Sequence, residues 1–414
     1  MVESWLLLSL VAIVVAIYSR PRNPLAIFPL VVTALVLDFR GGITSAAGVR
    51  YLLLIGIVVY LFRLRDKRGQ VWGWPETLTL LLSGSAVIAA IYNFVSVRQV
   101  ASSVLPTAVP LLLLLLPAPP RFISASRLES RMLALSGLVL AIGMALARTE
   151  GAGRAPLAAF NHEKVFLVVF AVLVGASLGH RTVALLTCLV LGASFVAYPA
   201  ATMVIGVIVG VGTFWTVLRV KSQAGCFRLA ALIGSGLLVA LVSLTTVLAV
   251  FSGYFSIVGK TDNGSTRAFL YGEAVAKIAE SPGWGSFFTG PVTVRAVLAG
   301  TVREVPFHND YLTLAVGGGI GAPLCLIGII AIANYRGAQF IFESNDERDR
   351  RLIASALASV NVASFSSLAN PVLSNVTAAT GFALLLFAVC TAPKAARSGP
   401  SAERKAQGRN EMKR

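Results

Sequence analysis

The sequence predicts an all-α polytopic membrane protein, and three observations support this fold class. Hydrophobic residues make up 56% of the 414-residue chain, charged residues make up 13%, and the mean hydropathy is +0.80. Apolar windows close to the roughly 17 to 25 residues that a helix needs to cross a bilayer recur along the chain. Lysines and arginines collect in alternate loops between these windows. A soluble globular domain of this length is therefore excluded.

Each apolar window is predicted to be a helix, because backbone polar groups in hydrocarbon must be satisfied within their own segment. The windows are also too long and too continuously apolar for barrel strands. We expect about 12–13 transmembrane helices. In chain order the windows are 4–19, 24–39, 48–62, 75–96, 100–117, 131–147, 164–179, 182–198, 200–218, 229–251, 310–333, 352–368 and 373–391.

The distribution of basic residues predicts the orientation, since cytoplasmic loops carry the excess of Lys and Arg. One set of alternate loops, taken with the C-terminal tail, holds 24 of the 35 basic residues. The tail is thus predicted to be cytoplasmic and residues 252–308 extracytoplasmic. The chain then divides into an N-terminal bundle at 1–251, an outer loop at 252–308, C-terminal helices at 309–393 and a basic, disordered tail at 394–414.

The formal net charge of +17 raises the question of nucleic acid, because basic surfaces bind phosphates. Its distribution over the predicted cytoplasmic side argues against that partner, and the tail at 398–414 is expected to lie against anionic lipid head groups. The cysteines form no pair or Cys/His spacing typical of a disulfide or a metal site. They are Cys188, Cys226, Cys325 and Cys390. We therefore expect membrane lipids as partners, no nucleic acid and no metal.

The outer loop at 252–308 has a pattern of its own. Helical spacing of apolar residues predicts an amphipathic helix at about 266–280, carried by Leu270, Ala274 and Ile278. The helix is expected to end at the proline- and glycine-containing turn of 281–285, and a looser stretch then leads to His308. Such a loop is predicted to fold over the outer end of the bundle. The charged inner segment at 335–351 is predicted to be a solvated helix cap.

Three motifs lie close together in and after this loop. The amphipathic helix begins near Arg267 and is followed by Glu-Ser-Pro-Gly-Trp-Gly at 280–285. Then come His-Asn-Asp-Tyr-Leu at 308–312 and Gly-Gly-Gly-Ile-Gly at 317–321, which lead into an apolar helix. This arrangement resembles the O-antigen ligase and O-antigen polymerase family, whose members carry a proline and glycine-x-glycine turn and later a His-Asn-x-Tyr/Phe-Leu motif. The resemblance is specific over about 264–325 and architectural elsewhere.

The resemblance implies a multi-pass enzyme of the bacterial cytoplasmic (inner) membrane. Such an enzyme transfers a glycan from an undecaprenyl-diphosphate carrier to a hydroxyl of a glycan or lipid acceptor outside the cytoplasm, without a metal or other cofactor. A Ser-Arg pair that the family usually has at a helix start corresponds here to Tyr-Pro-Ala-Ala-Thr at 198–202. Arg267 is then the favoured partner for the diphosphate, and polymerase and ligase activities both stay open.

Glycosyl transfer from a lipid diphosphate needs a group that takes a proton and a cation that stabilises the departing diphosphate. His308 suits the first task, because an imidazole exchanges protons near neutral pH. Arg267 suits the second, because a guanidinium is always charged and binds phosphate oxygens in a fork. Arg303 and Lys260 are expected to add to a basic rim that steers the donor. The alternatives are that His308 caps the following helix and that Arg267 is a first-turn surface residue.

The turn and the following motif contain further candidates with both a functional and a structural interpretation. Asn309 would contact substrate or cap the next helix, and Trp284 would stack on a sugar or rest at the membrane interface. Pro282, Gly283 and Gly285 are expected to act through backbone shape, because they let the loop turn back against the bundle.

A second polar cluster opens the window 164–179 on the predicted outer side. It contains His162 and Lys164. Either side chain would contact the acceptor or the diphosphate, or would anchor the end of the helix at the membrane surface. The position of the cluster on the same side as the outer loop is what makes it a candidate binding site.

Two other classes of function are compatible with the sequence. One is a transporter or flippase for lipid-linked glycans, which should bury ionisable residues in the middle of its spans. The predicted spans carry almost no charge away from their ends, which argues against ion-coupled transport. The other is a non-catalytic assembly scaffold, which would keep the loop fold and tolerate replacement of His308.

Overall fold

A computed structural model describes residues 23–38, 55–61, 73–96, 105–116, 125–149, 164–197, 201–258, 263–288, 292–298 and 301–397. Over these residues the protein is mostly helical, in agreement with the all-α prediction, and its only sheet is a two-stranded hairpin. The predicted window 4–19 and most of 48–62 lie outside the described residues, although 55–61 are helical.

Besides the helical segment at 55–61, the first half of the chain forms eight α-helices in the described ranges. A 3₁₀ turn at Pro24–Ile27 precedes α1, a π-helical turn at Leu80–Gly84 joins α2 to α3, and a 3₁₀ helix at Val109–Leu115 follows α4. The helices are α1 Phe28–Asp38, α2 Trp74–Thr79, α3 Ser85–Ser96, α4 Leu105–Ala108, α5 Arg127–Thr149, α6 Val165–Ser177, α7 Arg181–Ala197 and α8 Ala201–Leu218.

The second half contains the longest helix and the hairpin. The elements are α9 Gln223–Val258, α10 Asn263–Glu280, β1 Thr293–Leu298, β2 Thr301–Pro306, α11 Asp310–Gly318, α12 Gly321–Glu343, α13 Glu347–Ser366 and α14 Val376–Arg397. The amphipathic helix predicted at about 266–280 is thus confirmed as α10. The strands pair antiparallel, with Thr293 opposite Pro306.

Several described helices suit a membrane. Four are long and apolar enough to cross one, at Trp74–Tyr92, Arg127–Ala145, Gln223–Leu248 and Gly321–Glu343. Shorter apolar helices occur at Val165–Ser177, Arg181–Ala193, Gly206–Leu218 and Val376–Ala392. The described part of the chain is therefore that of a membrane-embedded helical protein. The expected number of spans and their orientation stay predictions.

Besides 75–96, which contains the π-helical turn, two predicted spans are not continuous α-helices. Within 100–117, the α-helix ends at Ala108 and a 3₁₀ helix follows, in a sequence with prolines at 106 and 110. Proline removes a backbone donor and its ring clashes with the preceding turn. Within 310–333, α11 ends at Gly318 and Gly319 has φ 74°, so the chain turns before α12 begins. A left-handed residue ends an α-helix, and glycine adopts it without strain.

Two predicted boundaries also move, and two predicted segments are regular structure. The outer loop was expected from 252, but α9 continues through Val258, since Phe, Ser, Gly and Tyr at 251–254 do not interrupt a helix. The looser stretch before His308 is the β1–β2 hairpin, whose β-branched threonines and valines favour strands. At the other end, α14 continues to Arg397, so residues 394–397 of the predicted disordered tail are helical, and the remainder of that tail, 398–414, lies outside the described residues. The inner segment 335–351 is the end of α12 and the start of α13.

Helix α13 lies at the centre of the described bundle. It is buried along most of its length and packs against α6, α8, α12 and α14. A Cβ at Gly210 of α8 would lie 2.7 Å from Val169 Cγ1 and 3.1 Å from Val362 Cγ2. Small residues at such crossings let transmembrane helices approach closely. In contrast, α9 has many exposed apolar side chains, which is typical of a helix that faces lipid.

One polar network crosses this core. Asn334 of α12 and Asn361 of α13 exchange two hydrogen bonds of 2.9 Å, each from Nδ2 to Oδ1. Asn361 Nδ2 also donates to Thr213 Oγ1 of α8 at 3.3 Å. Hydrogen bonds between apolar helices favour one packing arrangement, because a wrong one leaves the amides unsatisfied.

Candidate functional site

Helix α10 covers the connection between α13 and α14. We call residues 367–373 of this connection the crossing loop. Tyr271 of α10 is buried, and its hydroxyl donates to Leu368 O of the crossing loop at 2.7 Å. On the predicted apolar face of α10, Leu270 and Ala274 are buried and Ile278 is partly buried, and Ala268 is buried beside them. The outer-loop helix is therefore attached to the bundle by apolar packing and by a buried hydrogen bond.

Asn309 is the residue that joins the elements at this site. Its Oδ1 accepts hydrogen bonds from Tyr311 N at 2.9 Å and Leu312 N at 3.1 Å, so it is the N-cap of α11. Its Nδ2 donates to Leu368 O at 2.8 Å and to Tyr271 Oη at 3.3 Å. The side chain is fully buried and ties α11, α10 and the crossing loop together. The alternative in which His308 caps α11 is therefore wrong.

Asp310 is the second buried polar residue of the motif. Its backbone N–H donates to Ser367 O at 3.0 Å, and its Oδ2 accepts from Leu373 N at 2.8 Å. Both partners lie in the crossing loop, so the carboxylate holds that loop in position at the start of α11. A carboxylate in the first turn of a helix also interacts favourably with the helix dipole.

Arg267 reaches the same loop from α10. Its Nη2 donates to Asn370 Oδ1 at 3.4 Å, and Asn370 itself is buried. Arg267 lies one helical turn before Tyr271, so both face the crossing loop. The structure thus brings Arg267 and the segment 308–310 to one loop, although a turn and a hairpin separate them in sequence.

His308 has an unusual backbone conformation. Its φ is 53°, in the left-handed region, which is uncommon outside glycine although asparagine, aspartate and histidine are enriched in it, and its side chain is partly buried. Phe307 before it is fully buried, and Lys277 Nζ lies 5.9 Å from the centre of the Phe307 ring. Lys277 also donates to Thr293 O at 3.0 Å, which joins α10 to β1. Left-handed residues that persist because their surroundings hold them are found often at functional sites.

The turn at 281–288 packs against the junction between α11 and α12. Ser286 N donates to Val316 O at 2.8 Å, Phe288 N to Gly317 O at 2.7 Å, and Ile320 N to Pro282 O at 2.9 Å. The turn therefore folds back on the bundle through backbone contacts, in the way expected from its sequence. The structure requires a glycine at 285 for this turn and not at 283, where the φ is not positive and the Cβ position is open.

Glycines make this close contact possible. Gly285 has φ 58°, and a Cβ there would lie 2.5 Å from Val316 O and 2.6 Å from Gly319 N. Gly283 has open space at its Cβ position. Trp284 is 74% exposed and lies at the C-terminal end of α11, about 13 Å along the helix from His308 at ~1.5 Å per residue. The structure does not bring Trp284 to His308.

The remaining predicted site residues are dispersed. Arg303 lies on β2, opposite Ala296 of β1. Lys164 is the buried N-cap residue of α6. Lys260 and His162 lie outside the described residues. Among the residues described, no group of three or more His, Cys, Asp or Glu could hold a metal ion.

Electrostatics at the site favour a neutral Tyr271. Burial raises the pKa of its hydroxyl, whereas the hydrogen bond from Asn309 and the charge of Arg267 lower that pKa, and Asp310 raises it. Tyr271 is therefore a hydrogen-bonding positioning residue and not a proton acceptor at neutral pH. The hydroxyls of Ser366 and Ser367 beside it are buried and have no hydrogen-bond partner within the described ranges.

Three residues at the site were not predicted from the sequence. Tyr271 lies within the predicted amphipathic helix, Asp310 lies within the motif at 308–312 with no site role predicted for it, and Asn370 lies between two apolar windows. A polar residue directly before a proline at the end of a span, as in Asn370 before Pro371, is a signal that could have been used. The density of polar residues at 308–310 is also visible in the sequence, and this segment contacts the crossing loop.

Comparisons with known proteins found no family model, no curated protein and no solved structure that matches this chain. The resemblance to the O-antigen ligase and polymerase family rests on the motifs of 264–325 alone.

Proposed function

We propose that this chain is a membrane glycosyltransferase that polymerises or ligates glycans delivered on undecaprenyl diphosphate, at the extracytoplasmic face of a bacterial cytoplasmic membrane. The observation that carries the proposal is the convergence of Arg267 and the segment 308–310 on the crossing loop. A phosphate-binding cation and a proton-accepting imidazole are the two groups that this reaction requires.

The proposed reaction is a single displacement. The acceptor hydroxyl gives its proton to a ring nitrogen of His308 while its oxygen forms a bond to the anomeric carbon of the donor sugar. The bond from that carbon to the diphosphate oxygen breaks, and its electron pair leaves with the undecaprenyl diphosphate. Arg267 binds the phosphate oxygens on which negative charge builds, and Asn370 orients its guanidinium. General-base assistance of this kind contributes about 10²- to 10⁴-fold in rate.

Asn309, Asp310 and Tyr271 are positioning residues in this proposal. Their hydrogen bonds hold the crossing loop, α10 and α11 in one arrangement. A base and a phosphate clamp must be held in place by such contacts, since a displacement of about 1 Å costs about 10²-fold in rate. His308, with its left-handed backbone, directly precedes the buried residues Asn309 and Asp310 that make these contacts.

The placement of buried charge favours a transferase over an ion-coupled transporter. In the described ranges, the buried charged residues are Glu76, Lys164, Asp310 and Asp349. Each of them lies at the N-cap or in the first turn of a helix, and an ion pathway would require ionisable residues in the middle of spans. A scaffold would not require ionisable residues in the middle of its spans, and it is distinguished from a transferase by the loss or retention of activity when His308 is replaced.

The test compares variants in the native host with the chromosomal copy deleted. His308→Gly removes the imidazole and relieves the left-handed strain, so the protein is expected to fold while losing activity. Arg267→Gln removes the charge, with Arg228→Gln as the matched control, because Arg228 is exposed at the opposite end of α9. We expect long surface glycans to disappear and undecaprenyl-linked precursors to accumulate outside the cytoplasm for the first two variants only.

Two outcomes would contradict the proposal. Unchanged glycans in His308→Gly, with the protein present in the membrane at the wild-type amount, would favour the scaffold. Accumulation of precursors on the cytoplasmic side would favour a flippase. The acceptor of the new glycan in the wild-type strain, a growing chain or a separate lipid, then distinguishes polymerase from ligase.

A further inference from the structure

A basic recess lies between the first turn of α5 and the start of α7. Its volume is about 490 Å³, and its polar lining consists of Arg127, Arg131, His180 and Arg181, with Thr182 beside them. Three guanidinium groups therefore face one space. None of the residues that line it is an aspartate or a glutamate.

A second recess of about 350 Å³ adjoins the first. The two share Gly179 and Arg181, and the second adds Arg348, Arg351 and one carboxylate, Glu347. Glu347 already accepts hydrogen bonds from Arg350 at 3.1 Å and from Arg351 at 2.8 Å. The carboxylate of α13 is thus engaged by its own helix and does not neutralise the arginines across the recess.

Two of these arginines lie at helix N-termini, where the helix dipole is unfavourable for cations. Arg127 and Arg181 are the first residues of α5 and α7, where the helix dipole is positive. Glu129, the acidic residue of the first turn of α5, instead accepts from Ser126 N at 2.6 Å. Within the described residues, the ion pairs involve Arg336, Arg350 and Arg351, so Arg127, Arg131 and Arg181 form none there.

His180 lies within the positive potential of these arginines. Its Nε2 lies 3.0 Å from Ser130 Oγ. Burial lowers the pKa of the imidazole, and the charges of Arg127, Arg131 and Arg348 lower it further. Arginines from two different helices therefore act on one ring.

The surface beside the recess is apolar. Leu128 at its edge is 69% exposed, and Met132 on α5 and Leu185 and Leu189 on α7 are exposed along the same two helices. A fork of guanidinium groups matches phosphate oxygens, and an apolar helix surface matches acyl chains. All the arginines involved belong to loops that the charge distribution assigns to the cytoplasmic side.

We propose that the basic recess binds the phosphate group of an anionic membrane lipid in the cytoplasmic leaflet. Arg127, Arg131 and Arg181 hold the phosphate oxygens, Arg348 adds to the field, and the exposed leucines of α5 and α7 accept the acyl chains. Juxtamembrane basic residues between helices on the cytoplasmic side are suited to such head groups. The site is separate from the proposed transferase site, so each proposal can fail without the other.

The test uses the full-length purified protein in nanodiscs. Phosphatidylcholine discs receive increasing fractions of phosphatidylglycerol, and the temperature at which half of the protein loses its monodisperse elution is measured. We expect phosphatidylglycerol to raise that temperature for the wild type. The variant Arg127→Gln/Arg181→Gln should need about tenfold more of the lipid, because two charge-assisted hydrogen-bonding groups are lost.

A matched control changes the same charge elsewhere on the same predicted face. Lys221→Gln/Arg228→Gln removes two exposed cations outside the recess, and its response should equal that of the wild type. Equal losses in both double variants would overturn the site, since the effect would then be one of overall charge. Arg127→Lys/Arg181→Lys keeps the charge but removes the guanidinium groups that bind two phosphate oxygens at once. If the glutamine variant folds poorly, the amount of lipid retained by this lysine variant is measured by native mass spectrometry instead.

A further arm separates the two sources of phosphate. Inorganic phosphate is added to the wild type in discs of phosphatidylcholine alone. No stabilisation is expected, because a free anion lacks the apolar contacts. Protection equal to that of phosphatidylglycerol would overturn the lipid assignment and assign the recess to a soluble phosphate.

Discussion

The substitution Asn309→Ala removes the residue that joins the elements of the candidate site. It deletes the N-cap of α11, which costs about 1 kcal/mol. It also deletes two buried donated hydrogen bonds, to Leu368 O and Tyr271 Oη, worth about 1 kcal/mol each. We expect a loss of about 3 kcal/mol in the free energy of unfolding.

The chain offers a matched control in Asn375. Its Oδ1 caps α14 by accepting from Thr377 N at 2.9 Å and Ala378 N at 3.2 Å. Both are bonds that Asn375 accepts as a cap, and neither joins α14 to α10 or α11. Asn375→Ala should therefore lose the cap alone, about 1 kcal/mol. At about 2 °C per kcal/mol, the melting temperature should fall by about 6 °C for Asn309→Ala and about 2 °C for Asn375→Ala.

A third variant separates the cap from the donated bonds. Asn309→Asp keeps the accepting oxygen that caps α11 but replaces the donor with a carboxylate facing Leu368 O, beside Asp310. It should be at least as unstable as Asn309→Ala. The assay is thermal unfolding in detergent followed by size-exclusion chromatography. Equal melting temperatures for Asn309→Asp and the wild type, or for Asn309→Ala and Asn375→Ala, would refute the reasoning that this amide joins the site.

Three other predictions follow from the described contacts. Gly285→Ala should detach the turn at 281–288 and make it sensitive to protease, because the φ of Gly285 is positive and a Cβ at this position would clash with backbone atoms. Gly283→Ala is the control and should leave the protease sensitivity unchanged. Asn361→Leu should lower the free energy of unfolding by about 1–3 kcal/mol, because it removes both hydrogen bonds exchanged with Asn334. Asn334 Nδ2 keeps its bond to Ile330 O at 2.9 Å, but Asn334 Oδ1 loses the Asn361 donor, so the double leucine variant should be more stable than the single one. Because the pKa of His180 is lowered in the folded protein, the unfolded chain binds a proton more readily, and heat stability should fall as the pH falls below about 6.5. His180→Asn should show a smaller fall; an identical pH profile would contradict that assignment.

The helical class and the outer-loop helix could be predicted from the sequence because both depend on local patterns. A run of apolar residues and a 3.6-residue period are properties of neighbouring positions, and the bilayer allows few structures for such runs. The segment 308–310 could be identified for a similar reason, since three consecutive polar residues at the edge of an apolar window are visible in one dimension. The breaks at Gly319 and after Ala108 were missed because hydropathy alone does not report backbone dihedral angles.

Tertiary packing decided which residues share the site. Asn370 and Tyr271 become part of it only because α10 lies over the crossing loop, and no spacing in the sequence encodes that contact. Packing also decided that Asn309 and not His308 caps α11, and that Trp284 lies away from His308. The basic recess is of the same kind, since α5, α7 and α13 bring together arginines that a count of loop charges had assigned only to a membrane side. Charge distribution and hydrophobic periodicity depend on residues that are neighbours in the sequence, so both can be determined from the sequence. A binding site depends on distances between residues remote in sequence, and only the packing of the folded chain sets these distances.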